Sequence, residues 1–194
     1  MTTTTALVPT LLGSRSGNLA WELSVVGAGT TLLALLAQVA IPLPWTPVPI
    51  TGQTFGVTLI AFTFGLRAVP VVLAYLAVGA LGLPVFAAGK AGLLWGPTVG
   101  YLIGMVFAAV AVGSLAQRGF TQRFPRALLA GFLGSVLVFS TGLAVLSHFI
   151  PADGLLAAGL WPFLPGDLIK TTLAALVATR LSRLGKPSHE TPRA

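Results

Sequence analysis

Six apolar stretches run through this chain, and five of them are stopped by proline or arginine. They cover residues 25–41, 54–66, 68–83, 98–117, 127–150 and 165–181. The longer ones approach the ~20 residues an α-helix needs to cross a hydrocarbon core. In lipid the backbone has no water to bond with, so only helices and closed barrels cross it. Charged residues make up 8% of the 194 positions, against about 25% in a soluble domain. The expectation is an all-α membrane protein, a bundle of six transmembrane helices. Residues 1–24 read as a cytoplasmic N-terminal tail, 25–182 as the transmembrane domain and 183–194 as a cytoplasmic C-terminal tail. Residues 1–20 lack the basic start and compact apolar core of a cleavable signal.

The net charge of +7 points to topology and away from nucleic acid, because the basic residues lie between apolar runs. With six spans, Arg15, Arg67, Arg118, Arg123, Arg126, Arg180, Arg183, Lys186 and Arg193 fall on one side. Lys90 and Lys170 fall on the other. Cytoplasmic loops carry the excess of Lys and Arg, so both termini are expected in the cytoplasm. Trp45, Trp95 and Trp161 then share the outer interface, where indoles anchor. The chain has no cysteine, which excludes disulfides and thiol chemistry.

The breaks carry information of their own. Pro42, Pro44, Pro47 and Pro49 forbid helix and call for an extended connector. Pro70 and Pro165 sit where a first helical turn tolerates proline. Glycines crowd the loop over 86–97. Gly96, Gly100, Gly104 and Ala108 recur at four-residue steps, a stripe that lets two helices approach closely in lipid.

The most informative stretch is Trp161-Pro162-Phe163-Leu164-Pro165-Gly166-Asp167-Leu168-Ile169-Lys170. On a helix, Asp167 and Lys170 share one face. They form either a structural ion pair or a ligand site, since ionisable groups inside a membrane segment are functional candidates. The topology places Lys90, Thr51, Gln53 and Tyr101 on the same outer side. A shared cavity would explain that clustering, with Phe86 and Tyr101 covering an apolar portion of a ligand and the 89–96 loop, beginning at Gly89, closing over it. Asp167 can accept from N–H donors, and Lys170 can hold a carboxylate. Lys90 is either a second carboxylate partner or a solvated loop charge. No nucleotide-binding loop is present, and the two histidines, His148 and His189, do not make a metal cluster. Ser147 and His148 are adjacent and do not face each other on a helix. Neither a catalytic site, a metal site nor a resident cofactor is expected.

At this point the residues resemble the BioY proteins, the biotin-binding S components of energy-coupling factor (ECF) transporters. The matching motifs are Ile41-Pro42-Leu43-Pro44 with Val48-Pro49-Ile50-Thr51-Gly52-Gln53-Thr54-Phe55-Gly56-Val57, then Gly79-Ala80-Leu81-Gly82-Leu83-Pro84-Val85-Phe86. Gly96-Pro97-Thr98-Val99-Gly100-Tyr101-Leu102-Ile103-Gly104 and Pro165-Gly166-Asp167-Leu168-Ile169-Lys170 follow. The resemblance covers about residues 25 to 182. It implies the six-helix S-component fold in the plasma membrane of a prokaryote, with biotin captured near the extracellular face. It also implies delivery to the cytoplasm through a transmembrane coupling protein and two ATPase subunits. Asp167 would meet the ureido ring and Lys170 the valerate carboxylate. The first run lacks the Ala-x-x-x-Ala pair with which such components dock the coupling protein. Thr30 with Ala34, and Gly27 with Thr31, are the nearest small pairs. The competing reading is a self-sufficient secondary transporter of biotin or another small carboxylate, which internal repeats would favour; no clear repeat is present.

Overall fold

A computed structural model describes residues 18–92 and 95–184. The expected tails, apart from residues 18–24 and 183–184, lie outside the described residues, as do Arg15, Lys186 and Arg193. The order is helix α1 (Leu19–Gln38), strands β1 (Ala40–Leu43) and β2 (Thr46–Thr51), then helices α2 (Gln53–Phe64) and α3 (Ala68–Ala80). Helices α4 (Val99–Gln117), α5 (Phe124–Leu146), α6 (Ala152–Gly159) and α7 (Leu164–Leu184) complete it.

Among the described residues, four helical segments are long and apolar enough to cross a membrane: Leu19–Gln38, Gln53–Ala80, Val99–Gln117 and Phe124–Leu146. The second is folded in half. Gln53 donates a hydrogen bond to Tyr75, 22 residues further on; a continuous helix would hold them about 33 Å apart. A short 3₁₀ turn, Gly65–Arg67, makes the reversal. Helix α7 has 21 residues, long enough to span ~30 Å, with charges near both ends.

Several elements depart from the expected boundaries. Helix α1 starts at Leu19 instead of residue 25, because the Asn18 side chain caps it by accepting from the Ala20 N–H at 3.0 Å. Glu22 in its first turn pairs with Arg67, Nη2 to Oε1 2.8 Å. The proline-rich connector is a β-hairpin: Ala40 pairs with Thr51, Ile41 with Ile50 and Leu43 with Thr46. Prolines 42, 44, 47 and 49 are tolerated because a two-stranded sheet has only edge strands. Pro151-Ala152-Asp153-Gly154, which break the fifth apolar run, open the short helix α6.

Helix α4 lies at the centre, against α2, α3 and α5. Its small-residue stripe faces α5. A Cβ added at Gly100 would strike the Thr141 carbonyl and Val145, and one at Gly104 would strike the Thr141 hydroxyl and the Val138 backbone. Large apolar side chains point outward from many of the long helices, among them Leu35, Leu73, Phe107, Val136 and Leu173. A chain with that exterior belongs in lipid.

The two ends differ in charge. At one end the Gly65 turn packs against Gly113 and Gln117 of α4, and Ser182 of α7 donates to the Thr121 carbonyl at 2.9 Å. That end holds Arg67, Arg118, Arg123, Arg126, Arg180 and Arg183. The opposite end holds the hairpin, residues 81–92 and α6, with Lys90 and Lys170. Trp45, Trp95 and Trp161 are all exposed there.

The α4–α5 contact generates a stability test. Gly104→Leu is expected to cost about 1–3 kcal/mol through overpacking, read as a lower melting temperature in detergent. Gly27→Ala, whose Cβ would meet nothing, should leave the melting temperature unlowered. An unaltered curve for Gly104→Leu would show that α4 and α5 are not held at this distance.

Candidate ligand site

The site is built where helices stop. Helix α7 begins at Leu164, and the Asp167 N–H bonds the Phe163 carbonyl at 2.8 Å. Pro165 therefore occupies a first-turn position where no N–H is required. One turn in, Asp167 and Lys170 project from this helix toward a cavity of about 350 Å³. That volume is within the range of small-molecule pockets.

Four further regions complete the walls. The hairpin and start of α2 supply Val48, Pro49, Thr51, Gln53 and Thr54; the loop after α3 supplies Phe86, Ala87, Lys90, Ala91 and Gly92. Helix α4 with its N-cap residue supplies Thr98, Val99, Tyr101, Leu102 and Met105, and α5 supplies Val138 and Phe139. Phe163 closes one end. Its ring lies 6.4 Å from Tyr101 and 6.4 Å from Phe139, which is itself 6.5 Å from Tyr101. Three mutually packed rings give a rigid apolar surface. Tyr101 is fixed further by donating to the Gly159 carbonyl at 2.8 Å, so α6 anchors this wall.

Asp167 and Lys170 do not form an ion pair; among the described residues the only such pair is Arg67–Glu22. Lys170 Nζ donates instead to the Thr51 carbonyl at 3.1 Å and to Thr54 Oγ1 at 2.9 Å. An ammonium has three donors, so one remains for a ligand. Asp167, 6% exposed, has the Ser135 hydroxyl and the Lys170 charge as its neighbours. A carboxylate has about four acceptor sites, which leaves capacity for N–H groups. Gln53 is held by its own set of bonds: Thr51 Oγ1 donates to its Oε1 at 2.9 Å, and its Nε2 donates to the Tyr75 hydroxyl.

Of the residues singled out in the sequence, Thr51, Gln53, Phe86, Lys90, Tyr101, Asp167 and Lys170 line this one cavity. Gly89 does not. Its φ of +70° turns the loop between Phe86 and Lys90, a backbone role suited to glycine. Lys90 is exposed and also borders the cavity, so it sits at the mouth. Thr54, Met105, Phe139, Phe163 and the supporting Tyr75 were not foreseen. Thr54 and Phe163 lie within motifs already singled out; nothing local marks Tyr75, Met105 or Phe139. His148 stands beside Trp95, ring centres 6.2 Å apart, away from the cavity. No group of three or more potential metal ligands exists among the described residues.

Comparison with known proteins bears on this arrangement. The chain is 38% identical over 167 residues to the biotin transporter BioY of Thermotoga maritima, covering 84% of this chain and 96% of that one. It is 35% identical over 180 residues to the biotin transporter BioY of Rhodobacter capsulatus, covering 79% and 92%. Among solved structures it is similar to the S-component for biotin from an ECF-type ABC transporter. The TM-score is 0.78 and the identity 29%, over 88% of this chain and 95% of that one. These relatives are transporters and not enzymes. The BioY family profile matches residues 14–186, and the chain belongs to the BioY family.

Proposed function

We propose that this chain is the biotin-binding subunit of an uptake system, capturing biotin at the extracellular face of a prokaryotic plasma membrane. The observation that carries the proposal is the pairing of a carboxylate and an ammonium, each separately solvated, in a cavity with an aromatic wall. Biotin has the complementary parts: two ureido N–H donors, an apolar bicycle and chain, and a carboxylate. Asp167 accepts from the ureido ring, Lys170 and the mouth residue Lys90 attract the carboxylate, and Phe86, Tyr101, Phe139 and Phe163 cover the apolar part. The names of the relatives support the choice of biotin.

Six membrane crossings follow if α2 and α3 count as two beside α1, α4, α5 and α7. Each of the two short helices is about 18–20 Å long, and the hairpin and adjoining turns supply the remaining depth. The arginine-rich end is cytoplasmic under the positive-inside rule. Transport to that side uses a transmembrane coupling protein and two ATPase subunits. On α1, Gly27 and Thr31 are exposed while Thr30 and Ala34 turn partly inward, and Thr30 bonds the Val71 carbonyl at 3.3 Å. Of these two pairs, Gly27–Thr31 is therefore the one open to a partner helix.

Topology is checked with single cysteines at Gln122 and Asp153, both exposed at opposite ends. A membrane-impermeant thiol reagent on intact cells should label the second alone; labelling at position 122 would reverse or break the six-span arrangement. The energy source is checked by uptake: ATP depletion should abolish it in cells carrying the whole module, and a proton ionophore at constant ATP should not. Dependence on the ionophore alone would favour a secondary transporter.

Calorimetry of the purified chain tests the site. Lys170→Ala should weaken biotin by about 1.5–3 kcal/mol, the range for a bond to a charged group, and weaken an uncharged biotin amide much less. Asp167→Asn puts a donor where a ligand N–H needs an acceptor, and should weaken acid and amide alike. Equal losses of acid and amide in Lys170→Ala would refute the carboxylate assignment, and absence of biotin binding by the wild type would remove the proposal.

A further inference from the structure

Tyr75 does not line the cavity, yet it is bonded to two segments that do. It lies in α3 with 0% of its surface exposed. Gln53 Nε2 donates to its hydroxyl at 2.5 Å, and the hydroxyl donates to the Val85 carbonyl at 3.0 Å. Its ring stands edge-on to Phe86, centres 5.5 Å apart at 82°. The Phe86 ring in turn fills the space that a Cβ at Gly79 would need. Gln53 and Phe86 therefore belong to different walls and share one support.

The hydrogen-bond chain has a direction. A phenol carries one proton, and the Val85 carbonyl can only accept, so that proton is committed to Val85. The phenol oxygen then offers Gln53 a lone pair and nothing else. The Gln53 carboxamide must turn its NH₂ end toward Tyr75 and its carbonyl end toward the Thr51 hydroxyl, which donates at 2.9 Å. An unclamped carboxamide can flip, because its two ends have nearly the same shape and opposite hydrogen-bonding character. Clamped this way, Gln53 keeps one N–H and one lone pair for the cavity.

We infer that Tyr75 is a positioning residue for the ligand site, setting which end of the Gln53 amide a ligand meets and tying the Val85–Phe86 wall to it. The inference rests on reading the cavity as a biotin site. It concerns a residue whose bland role, filling the core between α2 and α3, Tyr75→Phe would preserve.

Calorimetry with biotin on Tyr75→Phe, which retains the ring and its contact with Phe86, should show about tenfold weaker binding, the effect of one hydrogen bond. In a Gln53→Ala background the same change should cost clearly less, because the amide it orients is gone and only the tie to Val85 is lost; non-additivity is the signature of residues acting as a unit. Equal losses in both backgrounds, or none in either, overturn the inference. A ligand-free readout separates it from the functional proposal. Hydrogen exchange of residues 82–92 should quicken in Tyr75→Phe, while α7 is unchanged. If the wild type binds no biotin the functional proposal falls, and unchanged exchange at 82–92 still overturns the role of Tyr75.

Discussion

An ammonium deep in an apolar protein must be solvated by something, and here the solvation of Lys170 ties the molecule together. Its partners are the Thr51 carbonyl and the Thr54 hydroxyl, 119 and 116 residues away in sequence. Thr51 ends the hairpin and Thr54 lies in the first turn of α2. The last helix is thereby held against the junction where the hairpin becomes helix α2. Non-helical backbone at membrane depth survives only where it is buried in protein or lines a cavity. Val48, Pro49 and Thr51 of the hairpin line the cavity, as do Phe86, Ala87, Lys90, Ala91 and Gly92 of the segment after α3.

Rigidity around the cavity comes from two kinds of contact. Below it, glycines bring helices together: Gly100 and Gly104 admit α5 against α4, and Gly79 admits Phe86 against α3. Around it, hydrogen bonds run between elements remote in sequence, from Tyr101 to Gly159 and from Gln53 through Tyr75 to Val85. Lipid offers little hydrophobic drive for helices to associate with each other. Close packing and satisfied polar groups have to do that work.

What was legible in the sequence was local. Apolar length marked the long helices, proline marked the connector and the start of α7, and the four-residue glycine step marked the α4 face that meets α5. The Asp167–Lys170 spacing marked one face of a helix. Partnership was not legible. Spacing alone left an ion pair and a ligand site both open, whereas the structure shows Lys170 reaching Thr51 and Thr54 across more than a hundred residues. The hairpin was hidden because prolines disguise strands whose outer edges have no neighbour to bond. Helix α6 was hidden because Pro151-Ala152-Asp153-Gly154 at its start look like a break. Tyr75 resembled any core aromatic; its role exists only when Gln53 and Val85 converge on it.

The separation of acid from base has a consequence for what the cavity can hold. Had Asp167 and Lys170 closed on each other, most of their attraction would be internal and the pocket would present little field. Uncharged oxygens stabilise the Lys170 ammonium here without neutralising it. The site keeps a positive pole at Lys170, with Lys90 at the mouth adding to it, and a negative pole at Asp167. Burying one charge unpaired is costly, so such a cavity favours a ligand that completes both poles at once. A simple cation or anion would satisfy one pole and leave the other as it was. A molecule with an anionic end and a donor-rich end, joined by an apolar body that fits the Tyr101–Phe139–Phe163 wall, relieves both. On the proposed reading, selectivity arises from the distance between poles, which the Thr51 and Thr54 bonds hold constant from the Lys170 side.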